Sequence, residues 1–64
     1  MEEDQIKNVF VFSVMRKVNE IDHEFSEKHS DEIIDFVYGN YELFHYYGVE
    51  GTVNEVMQEF SLKK

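Results

Sequence analysis

Ile6, Phe10, Val14, Val18 and Ile21 recur at intervals of three or four residues, with Val11 and Met15 as a second row beside them. Residues so spaced stack on one side of an α-helix. The run Val9-Phe10-Val11-Phe12 has strand propensity, but four residues do not outweigh a helical pattern held through most of the first third of the chain. The stripe is also wide. Between Val9 and Met15 the apolar residues take up more than half the helix circumference, and such a helix has to be covered on two sides. The pattern therefore predicts a central helix over about 3–22, covered by other helices or by a second copy of the chain. A homodimer through this first helix is an expected mode of self-association.

The acids Glu2, Glu3 and Asp4 suit the start of that helix, where they oppose the positive end of its dipole. Periodicity fades from Glu20 to Ser30, with Ile21 and Phe25 as apolar anchors, so this segment reads as a connection. Ser30-Asp31-Glu32 is a good second helix start, a hydroxyl cap followed by two acids. The second helix, over about 31–47, carries Ile33, Ile34, Val37, Tyr38, Tyr41 and either Phe44 or Leu43 on its buried face. Gly39-Asn40 interrupts it, and a continuous or gently kinked helix is expected to run on to Tyr46 or Tyr47 and end at Gly48. Gly48-Val-Glu-Gly51 reads as a loop, and Thr52 with Glu55 has the spacing of a capping box. Val53, Val56, Met57 and Phe60 then form one face of a third helix over about 53–62, with Lys63 and Lys64 at its negative end. The expected fold is all-α, a three-helix domain spanning 1–64 without linker or repeat.

A chain of 64 residues buries only about 60% of the surface its unfolded form exposes. It has no cysteine for a disulfide or a thiolate metal knuckle, so helix packing or a partner has to supply its stability. Ten aromatic residues help, each able to bury roughly 150–250 Å². The net charge is −8, and between Val18 and Leu62 eleven acids face a single base, Lys28. Such a surface repels phosphate backbones, which argues against direct nucleic-acid binding and for steering toward a protein with a basic surface. Solubility alone also accounts for acidic surfaces. The amino terminus lacks the basic region of a secretory signal, and no apolar run approaches a membrane span. A soluble, cytoplasmic protein without membrane contact is expected.

Candidate chemistry is sparse. His23, His29 and His45, with Glu24 and Glu27, are the residue types that bind zinc, yet only His23 and Glu27 share a helical i,i+4 spacing, and two ligands do not make a native site. His45 sits among Phe44, Tyr46 and Tyr47, where it suits a general base, a polar group at a binding face, or a packed histidine hydrogen-bonded to backbone or tyrosine. No Ser, Thr or Cys nucleophile lies beside it, Thr52 being assigned to a cap, and no phosphate loop or dinucleotide fingerprint is present. No catalytic residue, cofactor or metal is expected, and the chain reads as a non-enzyme. All four tyrosines lie between Tyr38 and Tyr47. They cannot all face one core from a single helix, so at least one is expected on the surface. Exposed tyrosine rimmed by acids has the composition of a protein-binding hot spot, and edge packing of the core is the ordinary alternative. The expected partner-binding set is Tyr38, Tyr41, Glu42, His45, Tyr46, Tyr47 and Glu50.

The stretch Tyr41-Glu-Leu-Phe-His-Tyr-Tyr-Gly48, within the 26 residues from Asp35 to Phe60, resembles a small uncharacterised bacterial domain family. Its members carry a Tyr-Asp-x-Leu-His-x-x-Gly core followed by an acidic amphipathic helix. Tyr41, Glu42, Phe44, His45 and Gly48 fall on that pattern, with Glu42 where the family has Asp and Phe44 where it has Leu. The first helix matches only in being apolar, and a segment between the two parts is shorter here. Members are often encoded beside ADP-ribosyltransferase-like toxins, so the resemblance implies a small antitoxin or accessory role. The expected function is a non-enzymatic interaction module that neutralises a partner protein. The alternative is a phage-type inhibitor whose carboxylates imitate nucleic acid and block a nucleic-acid-binding protein.

Overall fold

The computed structural model describes residues 2–61, with side chains from 4 to 61, and these form four helices and no strand. They are α1 (Glu2–Ile21), α2 (His23–Lys28), α3 (Ser30–Gly39) and α4 (Tyr41–Ser61). The all-α class expected from periodicity is what the chain adopts. The expected end of the third helix at 62, and the closing lysines Lys63 and Lys64, lie outside the described residues.

The helix α1 touches each of the other three and is central, as its stripe requires. Its buried residues are Val11, Val14 and Val18, joined in one core by Ile33 and Val37 from α3 and by Phe44, Val53, Val56 and Phe60 from α4. Valine dominates this list. Its χ1 is already restricted in a helix, so fixing it costs little entropy. The expected line holds at Val14 and Val18 but not at its ends, where Ile6 and Ile21 are exposed, and Val11 of the second row joins the core. Ile6, Val9 and Phe12 form an outer face that no other helix covers.

The segment 22–30, expected as a connection, holds a helix. Asp22 is extended (φ −150°, ψ 96°), and its carboxylate accepts the Phe25 N–H at 3.1 Å, which caps α2 one residue after α1 ends. Glu24 in the first turn and Lys28 in the last both suit the dipole. Only Ser26 is buried and Phe25 half-buried, so six residues with so few apolar contacts leave almost no periodic trace. Ser30 is not a cap either. His29 precedes α3 without a side-chain cap, and Ser30 is the first helical residue.

The second helix was expected to continue through Gly39-Asn40, and the structure breaks it there. The Asn40 side-chain amide donates to the Phe36 carbonyl at 2.8 Å, which the Asn40 backbone N–H also reaches at 3.2 Å, so one residue closes the end of α3 twice. The Asn40 carbonyl then accepts from the N–H groups of Leu43 and Phe44 at 3.1 and 2.9 Å, starting α4 in a new direction.

The helix α4 is two helices joined at Gly48, whose φ of 77° and ψ of 176° leave helical geometry for one residue. The expected loop over 48–51 shrinks to this residue, and Val49 is already helical. Sixteen residues of straight helix would hold Phe44 and Phe60 about 24 Å apart. Instead both rings touch Phe36, at 5.3 and 5.6 Å between centroids, so the halves fold toward each other over α3. Thr52 does not cap a helix but lies fully buried within one. Its single hydroxyl proton lies between the Gly48 carbonyl at 2.7 Å and the Phe44 carbonyl at 3.2 Å, tying the second half of α4 to the break and to the turn before it.

Three substitutions separate this arrangement from a capping box. Gly48→Ala should cost about 1–2 kcal/mol, because a side chain is strained at positive φ. Thr52→Val, which keeps the shape and removes the donor, should cost about 1 kcal/mol. Glu55→Ala, which a capping box would make comparably harmful, should stay within about 0.5 kcal/mol. Urea unfolding followed by circular dichroism reads all three.

Candidate protein-interaction face

The first half of α4, residues 41–47, is held from below by rings. Phe44 is buried, edge-on to Phe36 at 5.3 Å and beside Tyr47 at 5.8 Å. Tyr41 meets Phe10 of α1 edge-on at 5.5 Å, a favoured aromatic geometry. Lys7 places its ammonium 5.5 Å from the Tyr38 ring centroid and 5.8 Å from that of Tyr41, within cation–π range of both. The Tyr38 hydroxyl donates to Asp4 Oδ1 at 3.3 Å. Tyr38 and Tyr41 are thus half-buried, each fastened to α1.

On the opposite side lie Glu42, Leu43 and Tyr46, with Tyr47 at one edge and His45 at the other. At 100° per residue, Leu43 and Tyr46 stand about 60° apart on the outer surface, and Tyr47 about 40° from Leu43. Tyr46 is 86% exposed, Leu43 51% and Tyr47 47%. The expectation that the tyrosines would not all be interior is met by Tyr46 and Tyr47. His45 is exposed, not packed in a core, and its ring lies 5.5 Å from Tyr41 and 5.8 Å from Tyr46. A continuous file of rings therefore runs from Phe10 through Tyr41 and His45 out to Tyr46.

Of the seven expected residues, the structure gathers Tyr41, Glu42, His45, Tyr46 and Tyr47 on one short helix. Tyr38 joins them at the margin, in a cleft shared with Lys7, Asn40, Tyr41 and Leu43. Glu50 stands apart. It lies beyond the kink and lines a cleft with Arg16, Lys17 and Glu20 of α1. Two residues of the face are absent from the expected set. Leu43 could be read as core because the pattern allowed Leu43 or Phe44, and Phe44 took the inner position. Lys7 carries no sequence signal, since its role depends on two helices meeting.

Gly51 sets the position of Tyr47. A Cβ there would lie 3.0 Å from the Tyr47 Cβ, tighter than most such contacts, so Tyr47 would have to give by a few tenths of an ångström. Elsewhere the surface is acidic, and every described Asp and Glu from Asp4 to Glu59 is exposed. Histidine–carboxylate contacts form at His23–Glu27 (3.4 Å) and His29–Glu32 (3.0 Å), each an ion pair only when the imidazole is protonated and then a surface one worth about 0–1 kcal/mol. Among the described residues no three His, Asp or Glu side chains converge as a metal set, and no helix is long and apolar enough to cross a membrane.

Comparison with protein-family models, with curated proteins and with solved structures finds no match for the chain. The face is therefore judged on its own chemistry, which is that of contact: rings and one aliphatic side chain raised on a fixed helix and bordered by a carboxylate.

The support under the face and its outer residues should separate in stability measurements. Tyr46→Ala should leave the unfolding free energy within about 0.5 kcal/mol of the native chain. Phe44→Ala should cost about 3–5 kcal/mol. A Tyr46→Ala chain that unfolds under native conditions would make that ring structural.

Proposed function

We propose that this chain is a non-enzymatic protein-interaction module, an antitoxin-like or accessory neutraliser, that seats the Leu43–Tyr46–Tyr47 face on a partner protein with a basic surface. The observation that carries the reading is Tyr46, almost wholly exposed beside exposed Leu43 and Tyr47, on a helix pinned by Phe44 and Tyr41. A large ring left in water has no folding role, and a ring on a rigid support loses little freedom when a partner covers it. Glu42, with the acidic surface around it, steers a basic partner by long-range attraction, and the tyrosines and Leu43 supply the buried area. The resemblance of residues 41–48 to a family encoded beside toxins supports the neutralising role, and a cytoplasmic site of action belongs to the same reading.

A second reading rests on a different surface. Asp22, Glu24, Glu27, Asp31, Glu32 and Asp35 are all exposed along α2 and α3, as carboxylates that imitate a phosphate backbone would be. In that case the target is a nucleic-acid-binding protein.

Affinity capture from lysate with the native chain and with Tyr46→Ala, at low and at high salt, distinguishes the two. The interaction module predicts a partner that stays bound at high salt and is weakened about 30-fold or more by Tyr46→Ala, as for a hot-spot residue. A partner indifferent to Tyr46→Ala and released by salt overturns it in favour of the acidic mimic, whose attraction is screened.

A further inference from the structure

The outer face of α1 has no role in the fold and is separate from the tyrosine face. Ile6, Val9 and Phe12 are 57%, 64% and 71% exposed, one above the next along α1. Gln5, Ile6 and Val9 line a shallow depression, and Phe12 projects one turn further on. We propose that a second copy of this chain covers this face, in an antiparallel pair of α1 helices related by a two-fold axis at Val9.

The pairing follows from what the face carries. A two-fold interface joins a patch to itself, so the patch has to complement itself. With the axis at Val9, the two Val9 side chains meet, and Phe12 of each copy falls opposite Ile6 of the other. The projecting ring thus enters the depression lined by Gln5, Ile6 and Val9. Positions 5, 9, 12 and 16 follow the alternating four- and three-residue spacing of a helix-pair seam, with Ile6 beside Gln5 at its edge. Ser13 beside the seam already donates its hydroxyl to the Val9 carbonyl at 2.9 Å, so covering it does not strand that hydroxyl.

Charge selects the direction. The first turn of α1 has the sequence Glu2-Glu3-Asp4, and its later turns carry Arg16 and Lys17. An antiparallel pair brings the end of each α1 that is acidic in sequence to the end of the other that carries Arg16, whereas a parallel pair brings like ends together. The −8 chain would repel itself over most of its surface, but α1 holds three of its six bases and only four of its fourteen acids. It is the side on which two copies approach with least repulsion. A seam of one helix pair falls below the roughly 800 Å² per partner of a standard interface, so association should be reversible and concentration-dependent.

Sedimentation equilibrium from micromolar to millimolar chain concentration tests the pairing. The native chain should pass from monomer to dimer, and Val9→Glu, which puts two carboxylates on the axis, should weaken the dimer at least tenfold while keeping the native circular dichroism spectrum. Because the chain has no cysteine, introduced thiols report the register. Val9→Cys should form a disulfide-linked dimer under mild oxidation in native buffer. Ile6→Cys and Phe12→Cys should cross-link as a mixture and much less when each is alone. A native chain that stays monomeric throughout overturns the proposal, as does a dimer unaffected by Val9→Glu. Efficient cross-linking of Phe12→Cys to itself would mean a parallel pair and would also overturn it. None of these results bears on Tyr46, so this proposal and the interaction module fail independently.

Discussion

The buried hydroxyl of Thr52 holds the break at Gly48, and most of the remaining architecture depends on that break. A straight α4 would carry Phe60 far from Phe36 and away from the rings of Phe25 and His29. Folding it at one residue brings Val53, Val56 and Phe60 into the same core as Phe44. Glycine permits the backbone angle, but permission is not specification. The threonine specifies the break, its hydroxyl shared between the carbonyls of Gly48 and Phe44 in a setting where an unpaired buried hydroxyl would itself be costly.

Much of this was legible in the sequence, and the limits have physical causes. The first helix and the inner residues of the last one show in their spacing, because burial on one helix face imposes a period that the residues have to follow. Val53, Val56 and Phe60 are where that period puts them. The period does not say which part of a wide stripe faces inward, so Ile6 and Ile21 were assigned to a core that took Val11 instead. Helix α2 is hidden because six residues are too few to show a period. Its signal is Asp22 at the cap, and a polar segment contains many such residues.

The most misleading motif was Thr52 with Glu55, which has capping-box spacing and serves as a tie inside a helix. Spacing along the chain cannot tell a hydroxyl facing an open helix end from one facing a broken helix behind it. The candidate face shows the same division. That some tyrosine had to be exposed followed from helix geometry, but which one depended on the break at Asn40, whose side-chain amide and backbone N–H both donate to the Phe36 carbonyl. The separation of Glu50 from Tyr46 depended on the break at Gly48.

The six-residue α2 has a consequence for how the molecule opens. A helix this short does not persist alone in water, since nucleation costs more than so few hydrogen bonds return. It is held by the Asp22 carboxylate and by Phe25 and His29, whose rings lie 6.4 and 5.5 Å from Phe60. Lifting Phe60 away therefore strips one side of α2, leaving it on α1 and α3 alone, and melting α2 exposes one side of Phe60 in turn. The amide protons of α2 and of the last turns of α4, far apart in sequence, are thus expected to exchange with solvent together and before those of the valine core.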